Sequence, residues 1–228
     1  GHTVTLAGVS GGSMVNLDTG ASISPNSAGI NLVSNSFQYT LDSNTGGVTA
    51  ALRATTKPVL LLTMGGITGG SPKMAIFQNI SYTTPASNFW IENAGSAILP
   101  GGLSSNSSVL IQNNPSLTGP TGAGKYMTFG WGGTSGATIG AYYSDPPANN
   151  SAITYLRYEG GATLADGTAA AGRRVYLGIP QDGASAYAPQ INVADSSGFF
   201  SALGRQFIDR ALAMSGGCGE TNDFGDWN

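Results

Sequence analysis

The stretch Pro58-Val59-Leu60-Leu61-Leu62-Thr63 contains an uninterrupted run of large aliphatic side chains, from Val59 to Leu62. A strand that is apolar on both faces is typical of a parallel strand lying between two layers of helices. The run is far shorter than the roughly 20 apolar residues that a membrane-spanning helix requires. We therefore predict a buried parallel strand here, with an α/β fold built around it.

Two short strands and a helix are predicted on the amino-terminal side of this run. Thr3–Ala7 alternates as a half-buried strand does, until the glycine-rich and serine-rich segment Gly8–Ser13 ends it. Ile30–Ser36 is a second predicted strand, and Thr45–Thr55 can form a short helix with its apolar residues on one face. Strands interleaved with helices favour parallel pairing.

The carboxyl-terminal side is richer in strands. The β-rich segments there are Lys125–Trp131, Ala137–Ser144, Ala152–Glu159 and Arg174–Ile179. Turn-forming residues 145–150 (DPPANN) separate the second from the third, which predicts an inserted β-hairpin. Ser197–Met214 is predicted to be an amphipathic helix capped by Ser196 or Ser197, whereas Lys73–Ile80 fits a helical turn or a strand equally well.

Composition restricts the classes of partner. Charged residues make up 9% of the chain, against roughly 25% in an average domain, and the formal net charge is −3. No basic surface is therefore expected that would attract nucleic acid or anionic lipid. The abundance of Gly, Ser, Thr and Asn is typical of a secreted or cell-surface protein.

Several segments together resemble a known family. They are GHTVTLA at 1–7, INLVSNS at 30–36, KPVL at 57–60, YEGG at 158–161, GRRVYLGIP at 172–180 and FFSALGRQFIDRALAM at 199–214. They are similar to ThuA-like (trehalose-utilization) domains of the class I glutamine amidotransferase-like superfamily, which occur within large bacterial extracellular proteins. The resemblance implies one α/β domain over residues 1–215, with a mostly parallel flavodoxin-like sheet, helices on both faces and the inserted hairpin. Residues 216–228 then form a linker or tail.

The resemblance also implies that a first strand is missing. Such domains usually begin with a strand and a helix before the segment that matches Gly1-His2-Thr3-Val4. That strand normally lies between those matching Thr3–Ala7 and Ile30–Ser36. A vacant position there would leave two rows of backbone groups unpaired. We therefore expect an upstream segment, or a strand of another chain, to fill it.

The superfamily's cysteine chemistry is not expected here. Where its enzymes carry a nucleophilic cysteine, this chain has Thr63-Met64-Gly65-Gly66. The chain's single histidine, His2, and its single cysteine, Cys218, provide neither a triad nor a metal site. No cofactor is implied, and the sequence favours a noncatalytic protein over an enzyme.

Carboxylates and aromatic residues leave two glycan-directed alternatives open. A hydrolase would need two carboxylates in one cleft, and the candidates are Glu92, Asp145 and Glu159. For Glu159 a structural hydrogen-bonding role is the favoured interpretation. Aromatic residues that could stack on sugars are Trp90, Trp131, Tyr142, Tyr143 and Tyr155. Aromatic residues on strands more often belong to a core, which is the favoured interpretation for these.

Two further patterns concern modification and metal. Asn-x-Ser sequons occur at Asn79, Asn106 and Asn149. Residues 220–228 (ETNDFGDWN) resemble the lead-in to a dockerin-type calcium repeat, in which Asp226 and Asn228 would be the first two ligands. Calcium at the tail is thus the one metal that the sequence suggests.

These observations predict a noncatalytic structural or binding module of a secreted or cell-surface protein. Self-association, or assembly with other segments of the same precursor, would suit a structural module. The alternatives are a glycan-directed hydrolase that uses paired carboxylates and a carbohydrate-binding module with exposed aromatic residues.

Overall fold

The computed structural model describes residues 4–10, 12–33, 38–44, 47–62, 73–83, 88–112, 125–143, 152–179, 181–183, 189–190 and 200–216. The strands in these ranges are β1 (Ala7–Ser10), β2 (Ser13–Asn16), β3 (Asn31–Val33), β4 (Val59–Leu61), β5 (Asn79–Thr83), β6 (Asn88–Ile91), β7 (Ser107–Leu110), β8 (Lys125–Trp131), β9 (Thr138–Tyr142), β10 (Ile153–Tyr158), β11 (Arg174–Leu177), β12 (Gln181–Gly183) and β13 (Pro189–Gln190). The helices are α1 (Gln38–Ser43), α2 (Val48–Ala54) and α3 (Ala202–Gly216).

Strand β4 confirms the prediction made from the Val59–Leu62 run. All three of its side chains are fully buried. It pairs in parallel with β3 on one side and β11 on the other, so that Val59 lies opposite both Asn31 and Arg174. The apolar run is thus buried because both of its faces meet apolar side chains.

The other described strand pairs are antiparallel. Strand β11 pairs with β10, and the order continues through β9 and β6 to β7. Strand β8 pairs with β5 and β12, and joins the main sheet where Gly130 lies opposite Ile153. The β9–β10 pairing confirms the predicted hairpin.

The α/β prediction is therefore confirmed in a coarser form, as a large mixed sheet with few helices. A mostly parallel flavodoxin-like sheet with helices on both faces is not supported. Parallel neighbours need a long crossover, usually a helix, between them. Strands β9, β10 and β11 alternate in direction instead, and the described residues between them contain no helix.

Two apolar cores lie against the sheet. The first contains Leu41 and Leu52 of the amino-terminal helices together with Phe77, Tyr158 and Tyr176. The second contains residues of α3 together with strand side chains that point to the other face of the sheet. Its members include Phe89, Tyr155, Val175, Leu177, Phe207 and Ala211. Strands β10 and β11 therefore contribute to both cores by alternation.

The amino-terminal strand differs from its prediction. It begins at Ala7 and not at Thr3, and it continues through Gly8. The exposed Leu17 side chain lies over Gly8, where an added Cβ would be 2.5 Å from its Cδ2. Strands β1 and β2 form a separate hairpin. Strand β3 lies at one end of the main sheet among the described strands, and the strand that the resemblance places beside it stays a prediction.

The carboxyl-terminal helix begins later than predicted. Its first residue is Ala202, and the Ser201 hydroxyl accepts a hydrogen bond from the Gly204 amide at 2.9 Å, as a capping residue does. Ser201 and not Ser196 or Ser197 therefore caps the described helix; the latter two lie outside the described residues. The ambiguous segment Lys73–Ile80 proves to be irregular up to Gln78, where β5 follows.

Candidate functional site

Three half-buried aromatic rings lie together where β8 leaves the second core. Alternation places Met127, Phe129 and Trp131 on one face of β8. Met127 is fully buried in the second core, whereas Phe129 and Trp131 remain partly exposed. The Phe129 ring stacks on Tyr143, with centroids 5.2 Å apart and planes 7° apart, and lies 6.1 Å from Trp131 at 32°. We call Phe129, Trp131 and Tyr143 the aromatic strip.

Polar side chains of the neighbouring strand flank this strip. In the antiparallel β5–β8 pair, Asn79 is opposite Trp131 and Ser81 is opposite Phe129. Residues directly opposite in such a pair present their side chains on the same face. Asn79 is exposed and Ser81 is half-buried. An amide and a hydroxyl therefore border the aromatic strip, and both can donate and accept hydrogen bonds.

The other face of β8 anchors the strip. The Phe77 ring lies over Gly130, where an added side chain would come within 2.2 Å of it. Beside it, the Tyr176 hydroxyl donates a 2.6 Å hydrogen bond to the Thr128 hydroxyl. Because both Thr128 and Gly130 are buried, packing on this face holds β8 in place. The aromatic strip is thus held on a rigid element and not on a loop.

The remaining predicted aromatic residues lie elsewhere. Tyr155 is fully buried in the second core, and its hydroxyl donates to the Ile98 carbonyl at 2.8 Å. Tyr142 is buried in the first core, and the partly buried Trp90 packs against that core. Core packing, the favoured interpretation, thus describes these three. It describes Tyr143 in part, since Tyr143 packs against the second core as well as on Phe129, and only Trp131 belongs to neither core. The five do not form one platform.

Glu92 lies just after β6 and is exposed. The Tyr142 hydroxyl donates to its carboxylate at 3.2 Å. Burial, followed by the negative charge and the hydrogen bond of Glu92, raises the pKa of Tyr142 to about 12. Tyr142 therefore stays protonated at neutral pH and serves Glu92 as a hydrogen-bond donor.

Glu159 joins two arginines at the end of β10. Its carboxylate oxygens lie 2.8 Å from Nε of Arg157, as an ion pair, and 2.9 Å from Nε of Arg173, as a hydrogen bond. Arg173 also donates to the Met214 carbonyl at 2.6 Å, in the last turns of α3. This arrangement ties the sheet to the end of α3, which agrees with the structural role favoured from the sequence.

Strand register keeps Glu92 and Glu159 apart. Trp90 and Ile153 both lie opposite Tyr142, so β6 and β10 run in the same direction with β9 between them. From the usual rise of about 3.3 Å per residue and strand spacing of about 4.8 Å, the backbones of Glu92 and Glu159 are about 15 Å apart. The carboxylates also have different partners, Tyr142 for Glu92 and two arginines for Glu159. Asp145, the third candidate, lies outside the described residues.

Two of the three sequons are in the described part of the chain, and both asparagines are exposed. Asn106 lies in a turn before β7 with a left-handed φ of 52°, a conformation that asparagine tolerates. Asn79 opens β5 beside Trp131, so a glycan on it would lie next to the aromatic strip. Asn149 lies outside the described residues.

The metal prediction concerns residues that the structure does not describe, since Asp226 and Asn228 lie beyond Gly216. Across the described ranges no group of three or more His, Cys, Asp or Glu side chains converges. In those same ranges no helix has the length and apolarity needed to cross a membrane.

Comparison with known proteins returned no match: no family model, curated protein or solved structure is significantly similar to this chain. The ThuA-like and dockerin-like resemblances therefore stay predictions. Sequence reasoning missed Phe129, Asn79 and Ser81 as neighbours of Trp131. The alternation within KYMTFGW at 125–131 could have added Phe129. The two polar residues could not have been found, because their proximity depends on the β5–β8 register.

Proposed function

We propose that this chain is a noncatalytic binding module of a secreted or cell-surface protein, and that the aromatic strip binds a glycan. The observation that carries the proposal is the Phe129–Tyr143 stack with Trp131 beside it, partly exposed at the edge of the second core. Aromatic faces carry negative charge and attract the C–H groups of a sugar ring. Asn79 and Ser81 lie where sugar hydroxyls could be hydrogen-bonded.

The hydrolase alternative receives less support. Of its three candidate carboxylates, Glu159 pairs with two arginines. The backbone of Glu92 lies about 15 Å from that of Glu159, given the usual rise and spacing of strands. The two acids thus have separate partners and are not seen paired with each other, as a glycosidase requires. The aromatic strip carries no carboxylate among its described neighbours, which suits binding without cleavage.

Affinity electrophoresis through gels containing polysaccharide tests the proposal. The protein is made in a host that adds no N-linked glycan, so that Asn79 stays unmodified. We expect retardation by at least one polysaccharide, and we expect Trp131→Ala to weaken it by about thirtyfold, as loss of a central aromatic contact does. Trp90→Ala is the matched control, because Trp90 packs against the other core. Equal loss in both variants, or none with Trp131→Ala, would contradict the proposal.

Self-association is a second proposal, supported by a different surface. Three of the large apolar side chains that are exposed in the described residues lie on or beside the β1–β2 hairpin: Val4 is 79% exposed, Leu6 58% and Leu17 61%. Val9 and Met14 of the same hairpin pack on the first core. Apolar residues on both faces of a two-stranded hairpin indicate that its outer face is covered in a complex.

Light scattering during gel filtration checks this second proposal. We expect a mass above that of one chain, and we expect the double variant Leu6→Ser/Leu17→Ser to return it to one chain. Leu110→Ser is the control, since Leu110 is also exposed, at 45%, but belongs to β7. A single-chain mass for the unaltered protein over a wide concentration range would overturn it.

A further inference from the structure

We infer that Asn79 carries an N-linked glycan and that the first sugar of this glycan packs on the Trp131 ring. Asn79-Ile80-Ser81 is one of the three sequons, and Asn79 is exposed at the start of β5. The modification itself goes beyond the proposed function. Its consequence for the aromatic strip, which the attached glycan occupies, rests on that function.

The register of β5 and β8 brings the two side chains together. The Gln78 amide donates to the Gly132 carbonyl at 3.1 Å, so these two residues form a hydrogen-bonded pair. Hydrogen-bonded and non-hydrogen-bonded pairs alternate along an antiparallel ladder. The next pair, Asn79 and Trp131, is therefore of the second kind, in which Cα atoms are about 4.5 Å apart and side chains are closest. Asn79 and Trp131 thus lie side by side on one face of the strand pair.

The length of the glycan linkage fits this spacing. N-glycosylation joins Nδ2 of Asn79 to C1 of N-acetylglucosamine, while the bond from C1 to a lipid-linked diphosphate donor breaks. Nδ2 gives up one proton, and the diphosphate leaves with the electron pair of the broken bond. The new link is a secondary amide, in which Cβ and C1 are about 3.8 Å apart, as successive Cα atoms are across a trans peptide. The sugar therefore begins within contact distance of the side chain opposite Asn79.

Trp131 is suited to contact this sugar. It is partly exposed and belongs to neither core. Aromatic faces carry negative charge, which attracts the C–H groups of a sugar. A sugar packed on the indole also removes apolar surface from water. The glycan should therefore stabilise the folded state through Trp131, beyond any general effect of an attached sugar.

The sequon at Asn106 provides a comparison within the same chain. Asn106 is exposed in the turn before β7, and its amide donates to the Glu92 carbonyl at 3.4 Å. The β6–β7 register likewise places Glu92 opposite Asn106. A carboxylate offers a sugar no aromatic surface. A glycan on Asn106 should therefore add no comparable stability.

Thermal denaturation of defined glycoforms tests the inference. Asn106→Gln/Asn149→Gln keeps only the Asn79 sequon, and Asn79→Gln/Asn149→Gln keeps only that of Asn106. Each full chain is secreted from a eukaryotic host, trimmed to the first sugar with an endoglycosidase, and compared with the same chain made in bacteria. We expect mass spectrometry to find Asn79 occupied, and its sugar to raise the midpoint by about 2 to 4 °C. The sugar on Asn106 should raise it by less than about 1 °C.

The Trp131→Ala variant separates a contact with the ring from a general effect of glycosylation. In that variant the gain from the Asn79 sugar should disappear. An unoccupied Asn79, a gain that persists without the indole, or an equal gain from the sugar on Asn106 would each overturn the inference.

Polysaccharide gels separate this inference from the proposed function. The chain with a glycan on Asn79 should lose the retardation that the bacterial chain shows, because the glycan occupies the aromatic strip. Equal retardation of both forms would refute that occupation. If the bacterial chain is not retarded by any polysaccharide while the thermal gain depends on Trp131, the proposed function fails and the glycan contact holds.

Discussion

At the scale of single residues, Arg174 is the most unusual side chain in the described structure. It is 1% exposed, yet among the described residues its guanidinium has no carboxylate partner. It donates instead to five backbone carbonyls, those of Leu52, Arg53, Thr55, Lys57 and Arg173, at 2.8 to 3.4 Å. Burial, reinforced by the charge of Arg53, lowers its pKa to about 10.

These bonds explain why a buried charge is tolerated. The last carbonyls of a helix have no partner within the helix, and they carry its negative dipole end. Leu52 and Arg53 are among the last residues of α2, which ends at Ala54. Arg174, the first residue of β11, therefore joins the end of α2 to the sheet. The sequence gives no sign of this role, because it depends on the parallel β4–β11 pairing.

Replacement of Arg174 should destabilise the fold strongly. Arg174→Met leaves several buried carbonyls unpaired, and we expect a loss of about 2 to 4 kcal/mol of unfolding free energy. Arg174→Lys should lose less, since an ammonium still donates three hydrogen bonds. Urea denaturation measures both. Arg205→Met is the control: Arg205 is exposed on α3 and donates to one carbonyl, that of Phe200, at 3.0 Å, so this variant should lose less than about 1 kcal/mol. Equal stability of Arg174→Met and the unaltered protein would contradict the capping role.

At the scale of elements, an ion pair joins α2 to the turn that precedes β11. Arg53 of α2 binds the Asp166 carboxylate and donates to Thr168 Oγ1 at 2.6 Å and to the Lys73 carbonyl at 2.6 Å. Thr168 in turn donates to Asp166 Oδ1 at 2.7 Å. Partial burial alone would raise the pKa of Asp166, but the hydrogen bonds from Arg53 and Thr168 outweigh it and hold that pKa below its usual value.

The lowered pKa determines how this contact responds to acid. Because the folded state favours the ionised carboxylate, Asp166 contributes stability at pH values above its unfolded pKa of about 3.9. That contribution is lost as the pH falls through the lower, folded pKa. Asp166→Asn should therefore be less stable than the unaltered protein at pH 7, by under about 1 kcal/mol for so accessible a pair, and the difference should vanish in strong acid.

Urea midpoints measured from pH 7 down to pH 2 for both proteins provide the test. Thr168→Val removes one hydrogen-bond donor to the Asp166 carboxylate. In that variant, Asp166→Asn should therefore lower stability at pH 7 by less than it does in the unaltered protein. Parallel midpoint curves for Asp166→Asn and the unaltered protein across the whole range would show that the contact is not linked to protonation.

Elements could be predicted better than their partners. Strands β4, β8, β10 and β11 were expected from apolar runs and β-rich composition, and each is present. Strands β6 and β7 were not predicted. Parallel or antiparallel pairing cannot be read from one segment alone, because it depends on strands that are distant in the sequence. Gly178 is an example: an added Cβ there would lie 2.1 Å from the Thr128 carbonyl oxygen of β8.

The same limit applies to the candidate site. Trp131 and Tyr143 could be proposed from residue type alone, because tryptophan and tyrosine on short strands are recognisable in the sequence. Their separation from Trp90 and Tyr142, which belong to the first core, depends on which way each strand faces. Likewise the sequence offered both Glu92 and Glu159 as candidate acids, with a structural role favoured for Glu159, but it could not give their partners, which are Tyr142 for Glu92 and two arginines for Glu159.

At the scale of the whole molecule, the two cores share the central strands. Leu156 and Tyr158 of β10 face the first core, whereas Tyr155, just before them, faces the second. In β11, Tyr176 belongs to the first core and its neighbours Val175 and Leu177 to the second. Neither core can lose its packing without exposing apolar side chains of strands that the other core needs. The two should therefore form one cooperative unit.

Variants on the two sides of the sheet test this cooperativity. Phe77 packs edge-on against Tyr176 in the first core, and Phe207 packs edge-on against Phe89 in the second. We expect Phe77→Leu and Phe207→Leu each to lower stability by about 1 to 2 kcal/mol and to give one urea transition. Tryptophan fluorescence and far-ultraviolet circular dichroism should then report the same midpoint in each variant. If Phe77→Leu shifted the fluorescence midpoint while the dichroism midpoint stayed in place, residues 1–215 would comprise two units that unfold separately.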